Sequence, residues 1–90
     1  MKGFRRSAQF KLHYKQRVAK NEYLQRDFID CLEGFLIDRF LVKDHSLKDS
    51  MIGKRSFSIN NDYRVIYIEK RDYFLLLDIG THEQVYQSSS

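Results

Sequence analysis

Ninety residues, 42% of them hydrophobic and including seven Phe and six Tyr, can build one core and no more, because a chain this short hides only about 60% of its unfolded surface. No apolar run approaches the roughly 20 residues of a membrane span, residues 1 to 6 lack the apolar stretch of a signal peptide, and the lone Cys31 has no internal partner. A soluble cytoplasmic protein with a reduced core thiol is expected. The formal charge of +4 is lopsided, since residues 1 to 21 hold seven of the sixteen Lys and Arg and none of the twelve Asp and Glu. Such clustering favours a polyanionic partner through counterion release, and it equally suits a solvated helix face.

In chain order, Phe4 to Arg6 reads as a short strand. Ser7 is a suitable N-cap for a helix from Ala8 to about Lys20, with Phe10, Tyr14 and Val18 on one stripe. Asn21 caps a second helix from Glu22 to about Asp38, where Leu24, Phe28, Cys31, Leu32 and Phe35 share a face and Asp27, Asp30 and Glu33 lie opposite. From Arg39 to Gly53 periodicity vanishes, and so long a stretch in a small domain implies a loop with a task. Strands follow at Lys54 to Ile59, Tyr63 to Lys70 and Tyr73 to Ile79, joined by turns at Asn60-Asn61-Asp62 and Arg71-Asp72. The third is almost continuously apolar, as in a central strand covered on both faces. Val85-Tyr86 is expected to be a last extended piece, and residues 87 to 90 a frayed tail. A strand and a helical hairpin packed on a twisted, mainly antiparallel sheet give a single α+β domain.

Three side chains draw chemical interest. Arg64 stands on the same side of its strand as Ile66 and Ile68, near the strand's start, and a planar guanidinium can grip two non-bridging phosphate oxygens. The bland alternative is a pair with Asp62 or Asp78. His82 follows Gly80 at the end of the apolar strand, where imidazole can exchange protons near neutral pH. His45 lies in the aperiodic loop, while His13, on a basic helix, reads as a bystander. The three His and Cys31 have none of the short spacings of a zinc site, and no glycine-rich phosphate loop or nucleophile elbow is present. No metal or cofactor is expected.

The strings Asp44-His45-Ser46-Leu47, Gly53-Lys54-Arg55, Asp62-Tyr63-Arg64-Val65-Ile66-Tyr67 and Ile79-Gly80-Thr81-His82-Glu83-Gln84-Val85-Tyr86, in this order over residues 4 to 86, resemble the RelE superfamily of bacterial toxins, and within it the YafQ-like branch. The resemblance implies a RelE-like fold. It also implies a toxin that enters the ribosomal A site, cuts messenger RNA without metal and is held inactive by a cognate antitoxin. Position by position, His45 matches the family's loop His, Asp62 its turn acid, Arg64 the strand Arg used at the scissile phosphate, His82 the Gly-Thr-His imidazole and Tyr86 a C-terminal aromatic. Two positions depart from the pattern. Ser58 stands where relatives can carry a further active-site His, and Asp49 where the loop often has Gly and turns differently.

On this basis the 2′-hydroxyl of RNA is expected to attack the adjacent phosphate. His82 would act as general acid, Arg64 would hold the phosphate, His45 with Asp62 would handle the 2′-hydroxyl proton, and Tyr86 would position a base. Lys11, Lys15, Arg17, Lys20, Lys54 and Arg55 are the expected RNA contacts. A gyrase-binding toxin of the related ParE type, and an inactive relic kept for its antitoxin, are the alternatives.

Overall fold

A computed structural model describes residues 2–88. Strand β1 (Gly3–Arg6) leads into α1 (Ala8–Arg17), then α2 (Glu22–Ile37). The segment that follows contains a 3₁₀ turn (Arg39–Val42), the two-residue strand β2 (His45–Ser46) and a second 3₁₀ turn (Asp49–Met51). Strands β3 (Arg55–Ser58), β4 (Tyr63–Glu69) and β5 (Tyr73–Thr81) precede α3 (His82–Ser88). The order across the five-stranded sheet is β1-β5-β4-β3-β2. Only β1, which lies beside β5, runs parallel to its neighbour.

Local chemistry explains the helix boundaries. The Ser7 side chain accepts from the Phe10 amide and the Asn21 side chain from the Leu24 amide, each satisfying one of the orphan donors of a helix start. Helix α1 stops at Arg17, short of the expected Lys20, because Val18 turns inward to full burial and leaves helical geometry. On α2, Leu24, Phe28, Cys31 and Phe35 are buried and Leu32 half-buried, as their spacing predicts.

The sheet is covered on both faces. Against one face α1 and α2 bury a core of Phe10, Phe28, Phe35, Phe57, Tyr67 and Phe74, and Phe35 alone meets the rings of Phe4, Phe57, Tyr67 and Phe74. Truncating Phe35 to Ala would cost on the order of 3–5 kcal/mol. Against the other face Met51, Ile66 and Val85 form a smaller cluster, with Leu47, Leu77 and Tyr86 packed on it. The apolar run of β5 is thus accounted for, since Phe74, Leu76 and Ile79 serve one layer and Leu77 the other. The middle place in the sheet nevertheless belongs to β4, because β1 closes the sheet beside β5.

The C-terminus departs from expectation. Val85 and Tyr86 are helical, and α3 takes in Gln87 and Ser88, so the tail expected over 87 to 90 begins no earlier than residue 89; Ser89 and Ser90 lie outside the described residues. The cause is a capping box: the Gln84 amide donates to the Thr81 hydroxyl (3.2 Å), and the Thr81 amide donates to Gln84 Oε1 (2.9 Å). Helix α3 closes over the second sheet face and gives it a core.

Candidate functional site

Arg64 is held by the pairing of three strands. Its neighbours across the sheet are Ser58 on β3 and Gly80 on β5, both small, so its aliphatic stem meets no bulky side chain in its own row. Directly opposed residues share a face, which puts Arg64 on the α3 side, away from α1 and α2. Its Nη1 donates to the carbonyls of Asn60 (2.8 Å) and Tyr63 (3.1 Å), tying the guanidinium to the β3–β4 turn. No bond to Asp62 or Asp78 forms, and the remaining donors of the fork meet no acceptor among the described residues.

His82 opens α3 beside that turn. Its amide donates to the Asp62 carbonyl (3.1 Å), which places the turn and the helix start side by side. The His82 ring stands edge-on to Tyr86, one helical turn along, with centroids 4.5 Å apart, and Tyr86 packs on the cluster of Met51, Ile66 and Val85. An open cleft lies here, lined by Asn61, Asp62, Tyr63, Thr81, His82 and Glu83. Arg64 and Tyr86 do not line this cleft; strand pairing sets Arg64 opposite Gly80, two residues before His82, so Arg64, the Asp62 backbone and the start of α3 share one end of β4 and β5, with the Asp62 side chain exposed.

His45 reaches the same face from the other side. It pairs with Ser56 on the edge strand β2, and Ser56 pairs with Ile66, so two strand spacings and two residues separate His45 from Arg64, roughly 12 Å between Cα atoms. His45 is exposed, with Nδ1 3.0 Å from the Lys43 carbonyl. A carbonyl only accepts, so Nδ1 carries the proton and a neutral ring presents Nε2 as its basic atom. His45 and His82 lie on opposite sides of Arg64, which suits attack and departure on opposite sides of a phosphorus atom and does not bring the two imidazoles together.

The segment carrying His45 is anchored from below. Asp44 accepts from Arg55 Nη2 (2.6 Å), from Arg55 Nε (3.2 Å) and from the Tyr67 hydroxyl. The Tyr67 phenol is pushed up by burial and by Asp44, so it stays a proton donor. Arg55, expected at RNA, is thus bound into the fold on the face covered by α1 and α2. Arg17 is likewise engaged, donating through Nη1 to the Ile79 carbonyl (3.0 Å) and standing 3.5 Å from the Asp78 carboxylate. Lys11, Lys15 and Lys20 are exposed, but they belong to α1 and the turn after it, on the face opposite Arg64. Lys54 is half-buried at the head of β3 and, by alternation, shares the face of Arg64.

His13 is no bystander. Its Nδ1 lies 2.5 Å from Oδ1 of the fully buried Asp78. The sequence hides this contact because it joins residues 65 positions apart, beyond the reach of a local pattern, although alternation from Phe74 and Leu76 puts Asp78 on the α1 side. Cys31 is buried, donates to the Ser58 carbonyl (3.2 Å) and has its thiol pushed up to about 12 by burial. It is therefore a packing group, not a nucleophile. Among the described residues no group of three or more His, Cys, Asp or Glu converges as a metal site would require, and no helix is long and apolar enough to cross a membrane.

A family model described as a bacterial toxin of type II toxin-antitoxin systems, YafQ, matches residues 2–87. Among curated proteins none matches the sequence significantly. The crystal structure of YafQ from E. coli strain BL21(DE3) is similar with a TM-score of 0.72 and 22% identity, covering 96% of this chain and 99% of that one. A YoeB/ParE toxin from Agrobacterium tumefaciens reaches a TM-score of 0.73 at 19% identity, covering 91% and 99%. The toxin of an E. coli DinJ-YafQ complex reaches 0.70 at 23% identity, covering 96% and 99%. At these identities the structures speak for the fold, and the family match over nearly the whole chain speaks for kinship.

Proposed function

The chain belongs to the YafQ family of type II toxins, and from that premise we propose that it is a metal-independent endoribonuclease that cuts messenger RNA on the ribosome. The observation that carries this reading is that strand pairing sets Arg64, flanked by Ser58 and Gly80, two residues from the start of α3, where His82 stacks edge-on with Tyr86. RNA brings its own nucleophile, so the protein need only orient the 2′-hydroxyl and phosphate, move two protons and neutralise charge. Arg64 binds the non-bridging oxygens through its free donors and stabilises the charge that grows on them. His82, exposed at the cleft, gives a proton to the departing 5′-oxygen. His45, with Nε2 available, takes the 2′-hydroxyl proton, Asp62 orients the reacting strand from the turn, and Tyr86 stacks on a base. Acid-base assistance is worth about 10²- to 10⁴-fold, so much of the rate falls to the ribosome's alignment of the message.

A cognate antitoxin is the proposed protein partner, as the DinJ-YafQ and YoeB-YefM complexes of similar toxins suggest. Induction followed by primer extension on cellular messages tests the reading. Discrete cuts are expected; intact messages with inhibited gyrase would favour the ParE-type reading, and intact messages with unimpaired growth an inactive relic.

A further inference from the structure

The junction of β5 with α3 sets where His82 stands, and side chains of α1 hold it. Asp78, fully buried, accepts from the Ile79 amide (2.8 Å) and meets His13 Nδ1 (2.5 Å) through the same oxygen, Oδ1. Its Oδ2 is buried without a partner, so the position of Asp78 depends on the contacts made at Oδ1. Arg17 adds a second tie through the Ile79 carbonyl (3.0 Å). The next residue is Gly80, where a Cβ would lie 2.7 Å from Arg17 Nη1 and 2.7 Å from Gln84 Oε1. Arg17 and Gln84 thus close on Gly80 together, and Gln84 is the capping-box partner of Thr81, directly before His82.

We propose that Arg17 is a positioning residue for His82: backed by His13 and Asp78, it fixes Gly80 and the capping box, and through them the place of the imidazole. This rests on the reading of His82 as general acid. It assigns Arg17 a role different from the RNA contact that its charge and its basic neighbours suggest. A Cβ at Gly80 would make the ends of two flexible side chains shift, the Arg17 guanidinium and the Gln84 amide.

The two roles of Arg17 differ in what they change. A positioning residue alters the geometry of the reacting groups, so Arg17→Ala should lower kcat on translating ribosomes, on the order of 10²-fold for a displacement near 1 Å, and leave KM and its salt dependence within about twofold. Gly80→Ala should reproduce that loss, since it pushes away the same atoms. The double variant Arg17→Ala/Gly80→Ala should be little worse than either single one, because both remove one contact. Amide exchange at Thr81 and Gln84 should quicken in each single variant, and this readout does not depend on cleavage. Lys11→Glu with Lys15→Glu supplies the opposite pattern, a raised KM and a weaker salt dependence. If Arg17→Ala behaves like the Lys variants, or if the two single effects multiply in the double variant, the proposal is overturned. If wild type cuts no message while Arg17→Ala still loosens the Thr81 and Gln84 amides, the ribonuclease reading fails and the mechanical link stands.

Discussion

At the scale of single residues the backbone decides as much as the side chains do. Asp49 sits at φ 57°, in the left-handed region that favours Gly. That conformation carries a steric penalty of roughly 1 kcal/mol. Asp49→Gly should relieve part of it and raise the melting temperature by up to several degrees, as calorimetry would show; a lower melting temperature would mean that the Asp49 side chain stabilises the loop in some other way. The face that Arg64 shares with Ile66 was legible from alternation. The contact of His13 with Asp78 was not, because it joins residues 65 positions apart. Asp44 stands next to His45 in the sequence, yet its bonds to Arg55 and Tyr67 join residues 11 and 23 positions away, beyond the reach of any local pattern.

The elements were legible wherever a cap or a period marked them. Ser7 and Asn21 announced both long helices, and the three long strands followed from alternation and turns. Strand β2 was missed because two residues carry no period, and it exists only through pairing with β3. Helix α3 was read as extended although Thr81-His82-Glu83-Gln84 has the spacing of a capping box; seven residues are too few for apolar periodicity to outweigh the β-branched Val85. The box is the feature that makes α3 a helix, and it yields a prediction at this scale. Thr81→Ala should cost about 1 kcal/mol in urea unfolding and fray α3, whereas Thr81→Ser should restore most of the loss. Equal stability of the Ala and Ser variants would show that packing of Val85 and Tyr86 holds the helix without its cap.

Across the whole molecule, charge is sorted by face and by edge. Lys11, Lys15 and Lys20 are exposed on α1 and the turn after it, the helix that packs on the face away from Arg64. At the β1 edge, Glu69 binds Arg39 at 2.8 and 2.9 Å and Lys2 at 2.8 Å, closing the hairpin end of β4 onto the segment after α2. Arg39, then Lys2, hold the Glu69 carboxyl down to about 2. A carboxylate lowered in the fold stabilises it above its unfolded value of about 4.3, and that contribution is lost as pH falls from there towards 2. Glu69 is partly exposed, so solvent screening limits the effect to about 1 kcal/mol or less. Wild type should therefore exceed Glu69→Gln in urea resistance at pH 6 and lose that advantage by pH 2; a difference independent of pH would assign the effect to packing.

The central claim is that one corner of the sheet, built from Arg64 and the start of α3, cleaves RNA. Its most direct test is single-turnover cleavage of message on purified translating ribosomes by wild type, Arg64→Ala and His82→Ala, each first shown to be folded by circular dichroism. Both variants are expected to bind ribosomes and to lose at least about 10²-fold in rate. Wild-type rates in both would contradict the account.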